Sequence, residues 1–104
     1  MDINKTQIDG KTIFSLSGRL DTNTAPKMLE VLKPEFDRSD FGKPKHIVLD
    51  FADIVYVSSA GLRVLLIGEK TDKATGICQT LVNVSAEIMA VFEITGFSDV
   101  LHIE

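Results

Sequence analysis

Short runs of β-branched and apolar residues alternate with stretches of helical periodicity along the whole chain. This alternation restricts the possible folds more than any other feature. The first two runs, Ile3 to Ile8 and Thr12 to Ser17, are separated by Asp9-Gly10, a pair suited to the positive backbone angles of a tight hairpin turn. Ala25, Met28, Leu29, Leu32 and Phe36 then recur at helical steps. Thr22 or Thr24 is placed to cap that helix, Pro26 fits its first turn, and Pro34 should kink or end it. Asp37 to Lys45 reads as a polar connection.

His46 to Phe51 has the composition of a strand covered on both faces, and Val55 to Val57 is a second extended patch. A helix is expected from about Ser59 to Ala74, ended by Gly76. Its apolar first half (Leu62, Val64, Leu65, Leu66, Ile67) should be buried, and its second half (Glu69, Lys70, Asp72, Lys73) solvated. Ile77 to Val84 reads as a strand. Ser85 caps a third helix with Ile88, Val91 and Phe92 inward, and Gly96 stops it. Val100 to Ile103 is a final short strand. The order β-β-α-β-α-β-α-β implies an α/β fold with a single mostly parallel sheet.

The chain has 104 residues, 44% of them hydrophobic, which suits one compact domain over residues 1–104. Its formal net charge of −4, with no basic run, argues against a nucleic-acid partner. Cys78 is the single cysteine, so no internal disulfide forms, and its apolar surroundings suggest a core position. Met1 to Lys5 lacks the features of a signal peptide, and no apolar run approaches the ~20 residues that span a bilayer. A soluble, cytoplasmic module is expected, without a membrane partner.

Little in the chain points to catalysis. Neither a dinucleotide-binding glycine fingerprint nor a P-loop occurs, and no cofactor is expected. His46 and His102 lack ligand spacing, so no metal site is expected, and Ser59 lacks a nucleophile-elbow context. Asp21, Asp50 and Asp53 could meet at one edge, but their spacing marks no acid/base pair. An enzyme is the least favoured reading.

What stands out is Tyr56-Val57-Ser58-Ser59-Ala60-Gly61-Leu62. Ser58 reads as an ordinary N-cap, worth ~1 kcal/mol. A second serine is not needed for capping. Gly61, in the first turn, costs roughly 1 kcal/mol against alanine, and such a glycine often admits a neighbouring backbone. A helix start also tolerates the charge of a phosphate. In a parallel sheet, the loop Gly18 to Thr24, the loop Asp53 to Gly61 and the turn Asn83 to Ser85 share one edge, so Asp21, Ser58 and Ser59 should be neighbours. Arg63 follows Ser59 by one helical turn. An arginine there faces the positive end of the dipole, and it either covers apolar neighbours or serves a partner.

With these residues in view, the chain resembles the STAS family, and within it the bacterial anti-sigma-factor antagonists. Gly18-Arg19-Leu20-Asp21, the stretch from Ile47 through Leu65, and Val91 to Phe97 carry the resemblance, which covers nearly the whole chain. The resemblance implies the STAS fold and a protein that binds an anti-sigma factor with serine kinase activity, so freeing a sigma factor. It also implies that the kinase phosphorylates the serine at the helix start, breaking the complex, and that a phosphatase restores it. Aligned on Gly61-Leu62, that serine is Ser59, and Asp21 matches the acidic residue beside the site. Asp21, Ser58, Ser59, Gly61 and Arg63 are thus the expected partner-binding residues. Ser58 stands where the family motif has Asp, Ala60 where it has Ser or Thr, and Arg63 where a small residue is common. A constitutive interaction subunit of a transport or signalling complex is the alternative, with Ser59 purely structural.

Overall fold

The computed structural model describes residues 1–37, 45–75 and 77–104, apart from the side chains of 36, 37, 45, 71–75 and 77. The elements run β1 (Asp2–Ile8), β2 (Lys11–Leu20), α1 (Ala25–Asp37), β3 (Lys45–Val57), α2 (Ser59–Thr75), β4 (Ile77–Val82) and α3 (Ala86–Thr95), followed by a single 3-10 turn, Phe97–Asp99. The sheet has four strands in the order β1-β2-β3-β4. β1 is antiparallel to β2, while β2, β3 and β4 are mutually parallel. The hairpin forms at Asp9-Gly10, with φ of 49° and 78°. This is the expected mixed α/β architecture, with the last strand reduced. The C-terminal segment joins β4 only through the bridge Leu81–Ile103, where the Leu81 N–H donates to the His102 carbonyl and the Glu104 N–H to the Leu81 carbonyl.

Because sheet order equals chain order, successive right-handed crossovers lay the helices on one face. Burial follows this. Thr12, Phe14, Leu16 and Leu20 of β2 are buried, whereas Lys11, Ser15 and Arg19 are exposed. In β3, Ile47, Leu49, Phe51, Ile54 and Val57 are buried, whereas His46 is exposed and Val48 and Asp50 are half-buried. The expectation of a strand covered on both faces is thereby corrected: one face is packed and the other is largely open. Cys78, paired with His46, lies on that open face and is half-buried rather than in the core. On the packed face, α1 lies against α2, α2 against β3 and β4, and α3 against β3, where the Phe51 and Phe92 rings meet at 6.3 Å.

Several local expectations change. α1 runs on past Pro34 to Asp37: the proline deprives the Glu30 carbonyl of its helical N–H donor but does not end the helix. Val55 to Val57 is not a separate patch, because β3 is continuous through it. The expected loop Asp53 to Gly61 therefore shrinks to Ser58 between β3 and α2. Glu69 is buried, not solvated, and its Oε1 accepts the His102 N–H at 3.1 Å. Ser85 caps α3 by accepting the Ile88 N–H, and Gly96 ends it at φ 80°. The Phe36 packing, the polar connection, the Gly76 stop and the solvation of Asp72 and Lys73 lie outside the described residues.

Candidate functional site

The carboxyl ends of β2 and β3 lie side by side, with Leu20 opposite Val57. The Ser58 N–H continues the ladder by donating to the Leu20 carbonyl at 2.9 Å. This single bond fixes the start of α2 against the turn that begins at Asp21. Gly61 permits the approach. A β-carbon there would lie 2.6 Å from Leu20 Cγ and 2.8 Å from the Leu20 carbonyl oxygen, closer than real contacts allow. The glycine expected to admit a neighbouring backbone does so.

Ser58 is the N-cap of α2. Its carbonyl accepts the Leu62 N–H at 3.0 Å, and its hydroxyl lies 3.4 Å from the Gly61 N–H, a weak capping contact. Ser59 is the first helical residue and is exposed. Among the described residues its hydroxyl has no hydrogen-bond partner. Arg63 is also exposed, with no ionic partner among the described residues. Ser59 and Arg63 line one shallow groove between α1 and α2, of ≈ 400 Å³, whose walls include Thr22, Pro26, Leu29 and Val64.

Asp21 borders this region, but its carboxylate is committed to its own turn. Oδ1 accepts the N–H groups of Asn23 at 3.0 Å and Thr24 at 3.2 Å. In return the Thr24 hydroxyl accepts the Asp21 N–H at 2.9 Å and donates to the Arg19 carbonyl at 2.7 Å. Thr24 thus braces the turn before α1 instead of capping forward into the helix. Desolvation pushes the Asp21 carboxyl upward. The Thr24 and Asn23 N–H groups, the Thr24 hydroxyl and the Arg19 guanidinium outweigh it, and the pKa lies below the ordinary value.

Asp21, Ser58, Ser59, Gly61 and Arg63 therefore share one edge of the molecule. Asp50 is not part of an acid/base pair with Asp21: its Oδ1 accepts the Ala52 N–H at 3.0 Å and the Asn83 amide at 3.1 Å. Sequence reasoning did not bring Arg19 and Tyr56 together as a pair. The Arg19 guanidinium sits 4.2 Å from the centroid of the Tyr56 ring, and its Nε lies 3.6 Å from Asp21 Oδ2. The signal was available only through register, which sets Arg19 opposite Tyr56. Among the described residues no group of three or more His, Cys, Asp or Glu could hold a metal ion, and no helix is long and apolar enough to cross a membrane.

Comparison with known proteins agrees with this geometry. The putative anti-sigma factor antagonist BtrV of Bordetella bronchiseptica is 31% identical over 97 residues, covering 93% of this chain and 80% of BtrV. The anti-sigma-B factor antagonist of Listeria monocytogenes is 30% identical over 106 residues, covering 100% of this chain and 87% of the relative. The phosphorylated form of the Bacillus cell fate determinant SpoIIAA shares the fold, with a TM-score of 0.73, 15% identity, and coverage of 99% of this chain and 91% of that one. The STAS domain model matches residues 2–104, and the chain belongs to that family.

Proposed function

We propose that this protein is an anti-sigma factor antagonist controlled by phosphorylation. Unmodified, it binds an anti-sigma factor that is also a serine kinase, and so releases a sigma factor in the cytoplasm. The kinase phosphorylates Ser59, the complex separates, and a phosphatase resets it. The chain works by binding, without turnover of its own. Asp21, Ser58, Ser59 and Arg63 form the contact edge, and Gly61, expected to touch the partner but buried against Leu20, shapes that edge from within.

The observation that carries this reading is the division of labour between two adjacent serines. Ser58 caps α2, while Ser59 presents an unengaged, exposed hydroxyl at the helix start. A phosphate on Ser59 breaks no hydrogen bond among the described residues. It adds about −1.5 to −2 charges where the helix dipole favours them. The same charge buried unpaired in an interface costs several kcal/mol. One modification thus leaves the monomer intact and weakens the complex. The assignments of BtrV and of the Listeria antagonist support the partner class.

The test uses the purified anti-sigma factor kinases of the source organism with ATP. Intact mass should rise by one phosphate, and Ser59→Ala should abolish the rise without unfolding the protein. Ser59→Asp should melt at or slightly above the wild-type temperature, with ~0.3–1 kcal/mol of added helix stability. Calorimetry should show its affinity for the kinase strongly reduced. Phosphate mapped to Ser58 by fragmentation would reassign the site. Equal binding by wild type and Ser59→Asp would leave a constitutive interaction subunit.

A further inference from the structure

We propose that the stacked pair Arg19–Tyr56 is a preformed anchor on which an acidic side chain of the protein partner docks, beside the serine switch. This rests on the function proposed above and adds a second contact to it, on residues outside the Ser58 to Arg63 segment.

β3 carries two irregularities against β2. Ser15 and Ser17 face Asp50 and Asp53, and Gly18 and Arg19 face Ile54 and Tyr56. At each step β3 advances one residue more than β2, as a bulge does. The second places Val55 and Tyr56 together outside the packed face, with Val55 67% and Tyr56 40% exposed. Bulges re-aim side chains where a function needs them. Here the re-aimed ring meets the Arg19 guanidinium at 4.2 Å, and Asp21 steadies the same guanidinium at 3.6 Å. The Arg19 side chain is nevertheless 61% exposed.

A guanidinium offers five N–H donors in a fixed fork that matches a carboxylate. Stacking on the ring and the Asp21 carboxylate near Nε favour one orientation of that fork and so reduce the side-chain entropy lost on binding. Arginine and tyrosine are also the residue types that dominate binding energy at interfaces. The exposed Val55 supplies adjoining apolar surface. The pair is tied to the switch through the backbone, since Leu20 follows Arg19 and accepts the Ser58 N–H. The pair and Ser59 therefore lie at the same end of the sheet. The recognised group is a carboxylate on a protein surface, because Asp21 lies only at Nε and leaves the terminal N–H groups of Arg19 without a partner among the described residues, beside an aromatic and an aliphatic side chain.

The test measures binding of the unmodified full chain to each purified anti-sigma factor kinase of its own genome by calorimetry, with wild type, Arg19→Ala, Arg19→Glu and Tyr56→Ala, plus thermal melts. Arg19→Ala and Tyr56→Ala should each weaken binding about tenfold or more, and Arg19→Glu further still. Melting temperatures should stay close to wild type for the two Arg19 variants. The wild-type affinity should fall with salt more steeply than that of Arg19→Ala. If the kinase binds wild type and both Arg19 variants within about twofold of each other, the anchor is wrong while the proposed function stands. If no kinase binds the wild type, the proposed function fails and the anchor with it. Should Tyr56→Ala unfold, the two Arg19 variants still decide the matter.

Discussion

Asp21 shows how a residue beside a binding edge is held by its own turn. Its carboxylate gathers the N–H groups of Asn23 and Thr24, and the Thr24 hydroxyl closes the turn from the other side. The ionised form is the one these donors favour, so the native pKa is depressed below the ordinary value. A depressed carboxyl adds stability that is present above the unfolded pKa of ~3.9 and is lost as pH falls through the native pKa. Wild type should therefore lose stability more steeply than Asp21→Asn as acid is added below about pH 4, with the two curves offset but parallel at neutral pH. Urea titrations across that range check this, and parallel curves throughout would mean the carboxylate charge plays no part. The Asp21-Thr24 pairing is hard to read from sequence. Asp21, Thr22 and Thr24 are all turn and cap formers, and only the direction of the chain at Arg19 decides which hydroxyl faces which amide.

Among the elements, β3 is the one whose pattern misleads. Its buried residues Phe51, Ile54 and Val57 recur every third position, which fits neither the strand period of two nor a helical face. The bulges absorb the mismatch, and the Asp50 carboxylate holds the first by accepting the Ala52 N–H. A strand that contains two extra residues reads in sequence as a strand, a loop and a second strand. The start of α2 shows the converse. Gly61 looks like a defect in a helix, yet the Leu20 carbonyl occupies the space its β-carbon would fill. Gly61→Ala should gain about 1 kcal/mol of helix propensity and lose more to the clash, for a net destabilisation of about 1–3 kcal/mol. Chemical denaturation measures it, and a variant as stable as wild type would show that α2 can shift away from β2 freely.

Closure of the molecule depends on contacts between its chain end and its middle. Glu69, inside α2, accepts the His102 N–H, while Leu81 of β4 exchanges hydrogen bonds with His102 and Glu104 on either side of the Leu81–Ile103 bridge. A buried carboxylate and one bridge together fasten the last residues. Glu69→Ala should leave the His102 N–H without its buried acceptor and destabilise the fold by about 1–3 kcal/mol. Hydrogen exchange should quicken at Leu81, His102 and Glu104 ahead of the central strands. Protection there equal to wild type would show that the β4 pairing suffices alone. A second glycine serves the same layer: a β-carbon on Gly68 would meet the side chain of Gln79, which is buried beneath α2 with its amide donating to the Leu65 carbonyl.

The local patterns of the chain determined the hairpin at Asp9-Gly10, the Ser85 and Gly96 limits of α3, the burial of Leu62, Val64 and Leu65 in α2 (though not of Leu66 and Ile67, which are half-buried) and the shared edge of Asp21 and Ser58, because each rests on period, turn chemistry or chain order. These are properties of neighbouring residues and survive without knowing what packs on them. The open face of the sheet, the burial of Glu69, the two bulges in β3 and the Arg19–Tyr56 stack were decided only in three dimensions. Each depends on register or on a partner far along the chain: Glu69 on His102, Tyr56 on Arg19, Gly68 on Gln79. A buried charge and an exposed one look alike in sequence until the residue that satisfies the charge is placed beside it.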